Sequence, residues 1–257
     1  MEAFTPSAEK IERAKKHIND LIMLLDEFAH SQFYDIAVEE KTWKYGWLRN
    51  EISVTVHTDT DKFRTSAALI IGDAVHNIRS ALDFLYYQTV LKCRSHVDEW
   101  TMFPIKETRE KLEQSLKGAL KQKKISTQIS HSILEEIRSY SGGNPALWTL
   151  HKLDNWDKHQ LLIPTFQLMA INDIRLIDEK NIIHNFGLIF TSESYKRYIP
   201  EDEYGRYPKV HDKGRASIGI GFNSGVPCEG ESVIVTLNGI AEEVTRMVEA
   251  FKIAGFV

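Results

Sequence analysis

Ile11, Ile18, Leu21, Leu25 and Phe28 recur at helical spacing, so residues 7–30 read as an amphipathic helix, with Ser7 and Lys10 forming half a capping box. The period then changes. Residues 34–41 and 47–56 read as two strands, with Ile52, Val54 and Val56 alternating with polar positions and Gly46 placed for the turn. A long helix follows at 66–92, and the stretch after Asp98 reads as a loop ending in Phe103-Pro104-Ile105. Helices are expected at 106–118 and 126–139, separated by the basic linker 121–124. Ser141-Gly142-Gly143-Asn144-Pro145 stops one helix and starts another, with Asn144 as N-cap and Pro145 at the first helical position. That helix is expected to run to Ile163, where Pro164 breaks it. Strands are expected at 182–190 and 215–222, with a polar loop from Tyr195 to Gly214 between them, and a terminal helix at 232–254. In the second strand Ile218, Ile220 and Phe222 share a face, and Gly219 and Gly221 mark an edge or bulge.

These elements predict an α+β fold: five or six helices dominate, with a small antiparallel sheet from about 34–56 and 182–222. The helical core is expected in 7–30, 66–163 and 232–254. No stretch is poor enough in apolar residues to mark a boundary, so residues 1–257 read as one domain.

On the 66–92 helix, Ile71, Val75, Ile78, Leu82 and Leu85 form an apolar seam flanked by Ala74, Ala81 and Tyr86. Asp73, His76, Ser80, Asp83 and Tyr87 repeat on the opposite side, with Arg79 at the edge. From Ser66 to Leu91 there is no Lys and no Glu, the residues that ordinarily fill exposed helix positions, so this helix is expected to be buried on both sides. Buried ionisable groups need partners, and Arg79 and Asp83, four apart, can supply each other's. On the helix from Pro145, His151, Asp154, Asp157 and Lys158 fall in the same arc as Leu147, Leu150, Leu161 and Leu162, with Asn155 and His159 at its edge. Asp154 and Lys158 are spaced to pair, acid first. The expectation is two helices facing each other across one polar pocket, Asp154, Asn155, Lys158 and His159 complementing Asp73, His76, Arg79 and Asp83, with His76, Arg79, Asp83, Asp154, Lys158 and His159 as the candidate site residues.

The segments Gly72-Asp73-Ala74-Val75-His76-Asn77-Ile78-Arg79-Ser80-Ala81-Leu82-Asp83, Phe103-Pro104-Ile105 and Leu153-Asp154-Asn155-Trp156-Asp157-Lys158-His159 resemble a family of uncharacterised bacterial proteins. That family carries a G-D-A-hydrophobic-H-N-hydrophobic-R-S-A-L-D helix and an N-x-D-K-H segment. The resemblance spans residues 66–163 and brings no known activity, so it marks positions rather than chemistry. Phe84 stands where many relatives have His, and no role of that His carries over.

Composition narrows the classes. Apolar residues are 42% and charged residues 26%, the profile of a folded chain. A net charge of −4 supplies no positive field to draw nucleic acid. No apolar run approaches the roughly 18–20 residues that cross a bilayer. The start, MEAFTPSAEKIERAKK, turns charged too early for a secretion signal, and two cysteines suit a reducing compartment, so the expected location is the cytoplasm.

Metal and cofactor motifs are weak. Glu27-x-x-His30 and Asp73-x-x-His76 are what ten histidines and thirty-six acids in 257 residues give by chance, and Cys93 and Cys228 stand alone. There is no G-x-S-x-G elbow, no Walker A loop and no dinucleotide-binding glycine spacing, so no cofactor is expected. Helical ribonucleases of the HEPN type carry Arg-x4–6-His on a helix. Here the match, Arg206 to His211, falls in an expected loop containing Pro208. Trp43, Tyr45 and Trp47 alternate along the first hairpin, as residues covering the back of a bundle do. Two readings stay open: a non-enzymatic ligand-binding or interaction protein whose polar cluster is structural scaffolding, with a small anion as candidate ligand, or a hydrolase acting on a phosphate ester or nucleic acid. In the second, His76 or His159 serves as general acid/base, Arg79 and Lys158 stabilise negative charge, and Asp83 and Asp154 orient them.

Overall fold

Helical spacing becomes helix wherever a cap or a proline fixes the boundary. The computed structural model describes residues 6–31, 33–42, 48–56, 61–93, 101–190, 196–199, 208–226 and 228–257. Among these are six α-helices and seven strands. The helices are α1 (Pro6–His30), α2 (Asp61–Cys93), α3 (Arg109–Lys121), α4 (Thr127–His131), α5 (Pro145–Asp157) and α6 (Val233–Ile253). The strands are β1 (Tyr34–Thr42), β2 (Leu48–Val56), β3 (Pro164–Ile177), β4 (Ile183–Ile189), β5 (Lys196–Ile199), β6 (Lys209–Asp212) and β7 (Arg215–Phe222). The fold is α+β, predominantly helical. Trp43, Tyr45, Gly46, Trp47 and Arg206, singled out in the sequence, lie outside the described residues.

The chain divides into two compact units. The first comprises Met1–Ile22, Ala67–Pro164 and Gly221–Val257. Its core is the seam read from the sequence: Ile71, Val75, Ile78, Leu82 and Leu85 are all fully buried. Ile11, Ile18 and Leu21 of α1, Leu112 and Leu116 of α3, Leu147, Leu150 and Leu153 of α5, and Leu237, Val244 and Phe251 of α6 complete it. Local chemistry sets the starts. Thr108 Oγ1 accepts from Lys111 N at 3.3 Å, Ser126 Oγ from Ile129 N at 3.2 Å, and Asn144 Oδ1 from Leu147 N at 3.2 Å with Pro145 at the first helical position.

Two helical expectations in this unit are corrected. The single helix at 126–139 is the one-turn α4 continued by a π-helical turn, Ser132–Ile137, which ends in Arg138 at φ 59°. Arg138 N donates to Ile133 O, five residues back, at 3.0 Å, and that wide closure leaves the chain left-handed. Helix α5 stops at Asp157 instead of Ile163. His159 N and Gln160 N share Trp156 O, at 3.0 and 2.8 Å, and the tightened three-residue closure by His159 ends the helix well before Pro164.

The second unit comprises Met23–Ser66 and Thr165–Ile220. It holds two antiparallel sheets where the sequence suggested one: β1-β2-β5, and β4-β3-β6 with β7 also on β3. The first hairpin registers Tyr34 with Val56, Ile36 with Val54 and Val38 with Ile52. Phe33, Ile36, Ile52, Val54, Leu168, Ile171, Ile174, Leu176 and Leu188 make one buried cluster. Phe28 stacks on Phe33 and Phe63 at 4.7 and 4.3 Å, and Phe166 meets Phe28 edge-on at 5.5 Å.

Strand β3, central to the second sheet, has no counterpart in the sequence reading, and the expected loop 195–214 contains β5 and β6. The reason for the first is a bulge. Pairing with β4 slips between Ile171 and Ile174, and Asp173 sits at φ 58°. Buried positions therefore fall at 168, 171, 174 and 176 instead of alternating. Gly214, at φ 74°, fits against this bulge: a Cβ there would stand 2.2 Å from Asn172 O.

Candidate functional site

The polar groups of α2 and α5 meet within the first unit. On α2 the seam faces the core, which leaves Arg79 and Asp83 at its margin. Arg79 is buried, its side chain 7% exposed. Its Nε and Nη2 donate to Asp83 Oδ2 and Oδ1 at 3.2 and 2.8 Å, the fork expected of an i, i+4 pair. The pair grips the backbone of Phe103: Nη2 donates to Phe103 O at 2.9 Å, and Phe103 N donates to Asp83 Oδ1 at 2.9 Å. Phe103 is buried edge-on to Tyr86, whose own hydroxyl burial pushes up to about 12. Thus the Phe103-Pro104-Ile105 segment is held by the α2 pair. Burial raises the Asp83 carboxyl above its ordinary value, opposed by Arg79 and reinforced by Asp154.

One donor of this fork is left over. Arg79 Nη1 is buried and has no hydrogen-bond partner among the described residues. The field of the guanidinium reaches His151 of α5, which it holds below the ordinary imidazole value after burial itself, with Lys152 adding to the depression. Asn155 Nδ2 stands 3.1 Å from His151 Nε2, which accepts when the amide donates. One turn on, Asp154 is buried and accepts from Lys158 Nζ at 2.6 Å, while Lys158 stays half exposed.

At the other end of the seam, Asp157 lies against the backbone of α2. A Cβ at Gly72 would stand 2.6 and 2.7 Å from its two carboxylate oxygens. Partial burial raises Asp157, the charges of Asp154 and Asp73 raise it further, and His76 lowers it. His76 and Asp73 are exposed, and Ser80 Oγ is 3.5 Å from His76 Nε2. Asn77 ties α2 to α1, accepting from Lys10 Nζ at 3.1 Å.

Five of the six residues singled out in the sequence, His76, Arg79, Asp83, Asp154 and Lys158, thus lie along one seam. His159 does not join them: it is exposed on the turn past α5. The expected burial of α2 on both sides is corrected, because Asp73, His76, Phe84 and Tyr87 face solvent. The missing Lys and Glu reflect this exposed stripe of short polar and aromatic side chains. Sequence reasoning placed His151 and Asp157 in the polar arc but left both out of the site. The signal was there, since both share the arc of Leu147 and Leu150. Gly72 opens the motif on α2, but nothing in the sequence tied it to Asp157. Among the described residues no group of three or more His, Cys, Asp or Glu side chains is placed to hold a metal ion. No helix among them is long and apolar enough to cross a membrane. No family model, no curated protein and no solved structure matches the chain.

Proposed function

We propose that this is a non-enzymatic binding protein of bacterial cytoplasm, a member of the family its α2 and α5 segments resemble, which holds a small anion in the α2–α5 seam. The observation that carries the reading is Arg79 Nη1. A buried donor left unsatisfied costs about 1–3 kcal/mol, more when charged, and an anion beside His151 supplies the missing acceptor. The acids nearby do not forbid it. Asp83 is paired with Arg79 and Asp154 with Lys158. The hydrolase reading has less support, since His159 stands apart from the seam and His76 is exposed, its Nε2 3.5 Å from Ser80 Oγ.

The test is thermal denaturation with and without inorganic phosphate, sulfate and acetate. Wild type is expected to gain melting temperature with at least one of them. His151→Glu puts a carboxylate at the position that feels the Arg79 charge. This variant is expected to melt above wild type and to respond no longer to added anion. Wild-type indifference to all three anions, or a His151→Glu variant that keeps the full response, overturns the reading.

A further inference from the structure

A second group of charged residues lies at the far end of α5, away from the seam, around a cleft of about 380 Å³. Glu136, Ile137 and Arg138 from the π-helical turn, Pro145 from the start of α5, and Glu243 and Arg246 from α6 line it. Two of its four charges are spent on each other and on the fold. Glu243 Oε2 accepts from Arg246 Nη2, and Glu243 Oε1 accepts from Asn144 Nδ2 at 2.7 Å. The other two are not. Among the described residues Glu136 accepts from the Ser132 hydroxyl alone, at 2.7 Å, and no ion pair joins it to Arg138, although both line the same cleft.

Arg138 is held there by its backbone. Its carbonyl accepts from Tyr140 N at 2.7 Å and Asn144 N at 2.9 Å, and its left-handed φ is one that a side-chain-bearing residue rarely adopts. Gly143 closes over that carbonyl, where a Cβ would stand 2.2 Å from the oxygen. The turn therefore brings the Arg138 guanidinium and the Glu136 carboxylate to the same cleft with no ion pair between them, and Ile137 and Pro145 add apolar lining.

We infer that this cleft binds a zwitterion of amino-acid size, its carboxylate on Arg138 and its ammonium on Glu136. The four charged lining residues sum to zero, which disfavours a plain anion such as phosphate, and the cleft lies in the size range of small-molecule sites. The site is independent of the α2–α5 seam and shares no residue with it.

Isothermal titration of leucine into the wild-type chain tests this, alongside N-acetyl-leucine, leucinamide and inorganic phosphate. Leucine is expected to bind, and each singly capped analogue to bind at least ~10-fold more weakly, because each loses one charged partner. Arg138→Gly is expected to lose leucine binding while melting at or above the wild-type temperature, since glycine takes the left-handed backbone without penalty. Glu136→Gln, which keeps an acceptor for Ser132, is expected to lose the preference for leucine over N-acetyl-leucine. No leucine binding to wild type, unchanged binding in Arg138→Gly, or phosphate or N-acetyl-leucine binding as tightly as leucine overturns the assignment.

Discussion

The two ends of the α2–α5 seam use the same residue types to opposite effect. At one end Arg79 and Asp83 are withdrawn from water, joined by two hydrogen bonds, and engaged with both backbone groups of Phe103. At the other, His76 and Asp73 face solvent, and Asp157 rests against Gly72 with no cation bonded to it. Burial separates them. An ion pair out of water is costly to break because the survivor stays desolvated, whereas an exposed group loses little when its neighbour goes. The first end therefore fastens the fold and holds the unpaired donor Arg79 Nη1, where the anion is expected, whereas the second contributes little to stability.

The largest expected effect breaks that contrast directly. Asp83→Ala leaves the Arg79 guanidinium and Phe103 N unpaired in the interior, at a cost of about 3 kcal/mol. At roughly 2–4 °C per kcal/mol for a chain of this size, the melting temperature should fall by about 6–12 °C. His76→Ala, at the open end, should stay within about 0.5 kcal/mol of wild type. Equal losses in the two variants would show that burial does not distinguish the ends.

That contrast was only half legible in the sequence. Both i, i+4 pairs, Arg79–Asp83 and Asp154–Lys158, follow from spacing alone and are present. So are the Asn144 cap and the apolar seam of α2. What spacing cannot give is the rotation of each helix relative to its neighbours, and so Asp73 and His76 were placed inside when they lie outside. The absence of Lys and Glu does not by itself distinguish a buried face from an exposed aromatic one. The termination of α5 also removed His159 from the helix on which the sequence had set it. Strand β3 was hidden for a different reason: Asp173 and the slip between Ile171 and Ile174 break the two-residue period that identifies a strand. A bulge is a tertiary device, matched here by Gly214 forty residues on, and local pattern does not carry it.

A smaller effect sharpens the role of Gly72. Alanine is the better helix former by roughly 0.5–1 kcal/mol, but its Cβ would collide with the Asp157 carboxylate. Gly72→Ala alone should therefore lower stability by about 1 kcal/mol, because Asp157 must swing off the α2 backbone. In an Asp157→Ala background the same substitution should raise stability by about 0.5–1 kcal/mol. The change of sign, read from urea denaturation of the four proteins of the cycle, is the signature of direct contact. The same sign in both backgrounds would mean that Asp157 does not occupy the space above Gly72.

The smallest effect lies in the pH dependence of stability, where the groups of the seam pull in opposite directions. Asp157 and Asp83 bind a proton more tightly folded than unfolded. Between the ordinary carboxylate value and their raised folded values the native chain carries more protons, so their contribution weakens stability as pH rises through that window. His151 is lowered on folding. Below the ordinary imidazole value of about 6.5 the unfolded chain takes its proton first, so the contribution of His151 is full above that value and is lost as pH falls toward its folded value. Melting temperatures from about pH 4 to pH 8 should separate the two. Asp157→Asn flattens the carboxylate slope at the acid end, and His151→Gln removes the acid-side loss below about 6.5. Phosphate should act mainly through the second, because an anion beside His151 favours its charged form, raises its folded value toward the ordinary one and so shrinks the acid-side loss. If His151→Gln leaves the profile below 6.5 unchanged, His151 is not the group that titrates beside Arg79, and the anion has no imidazole to meet.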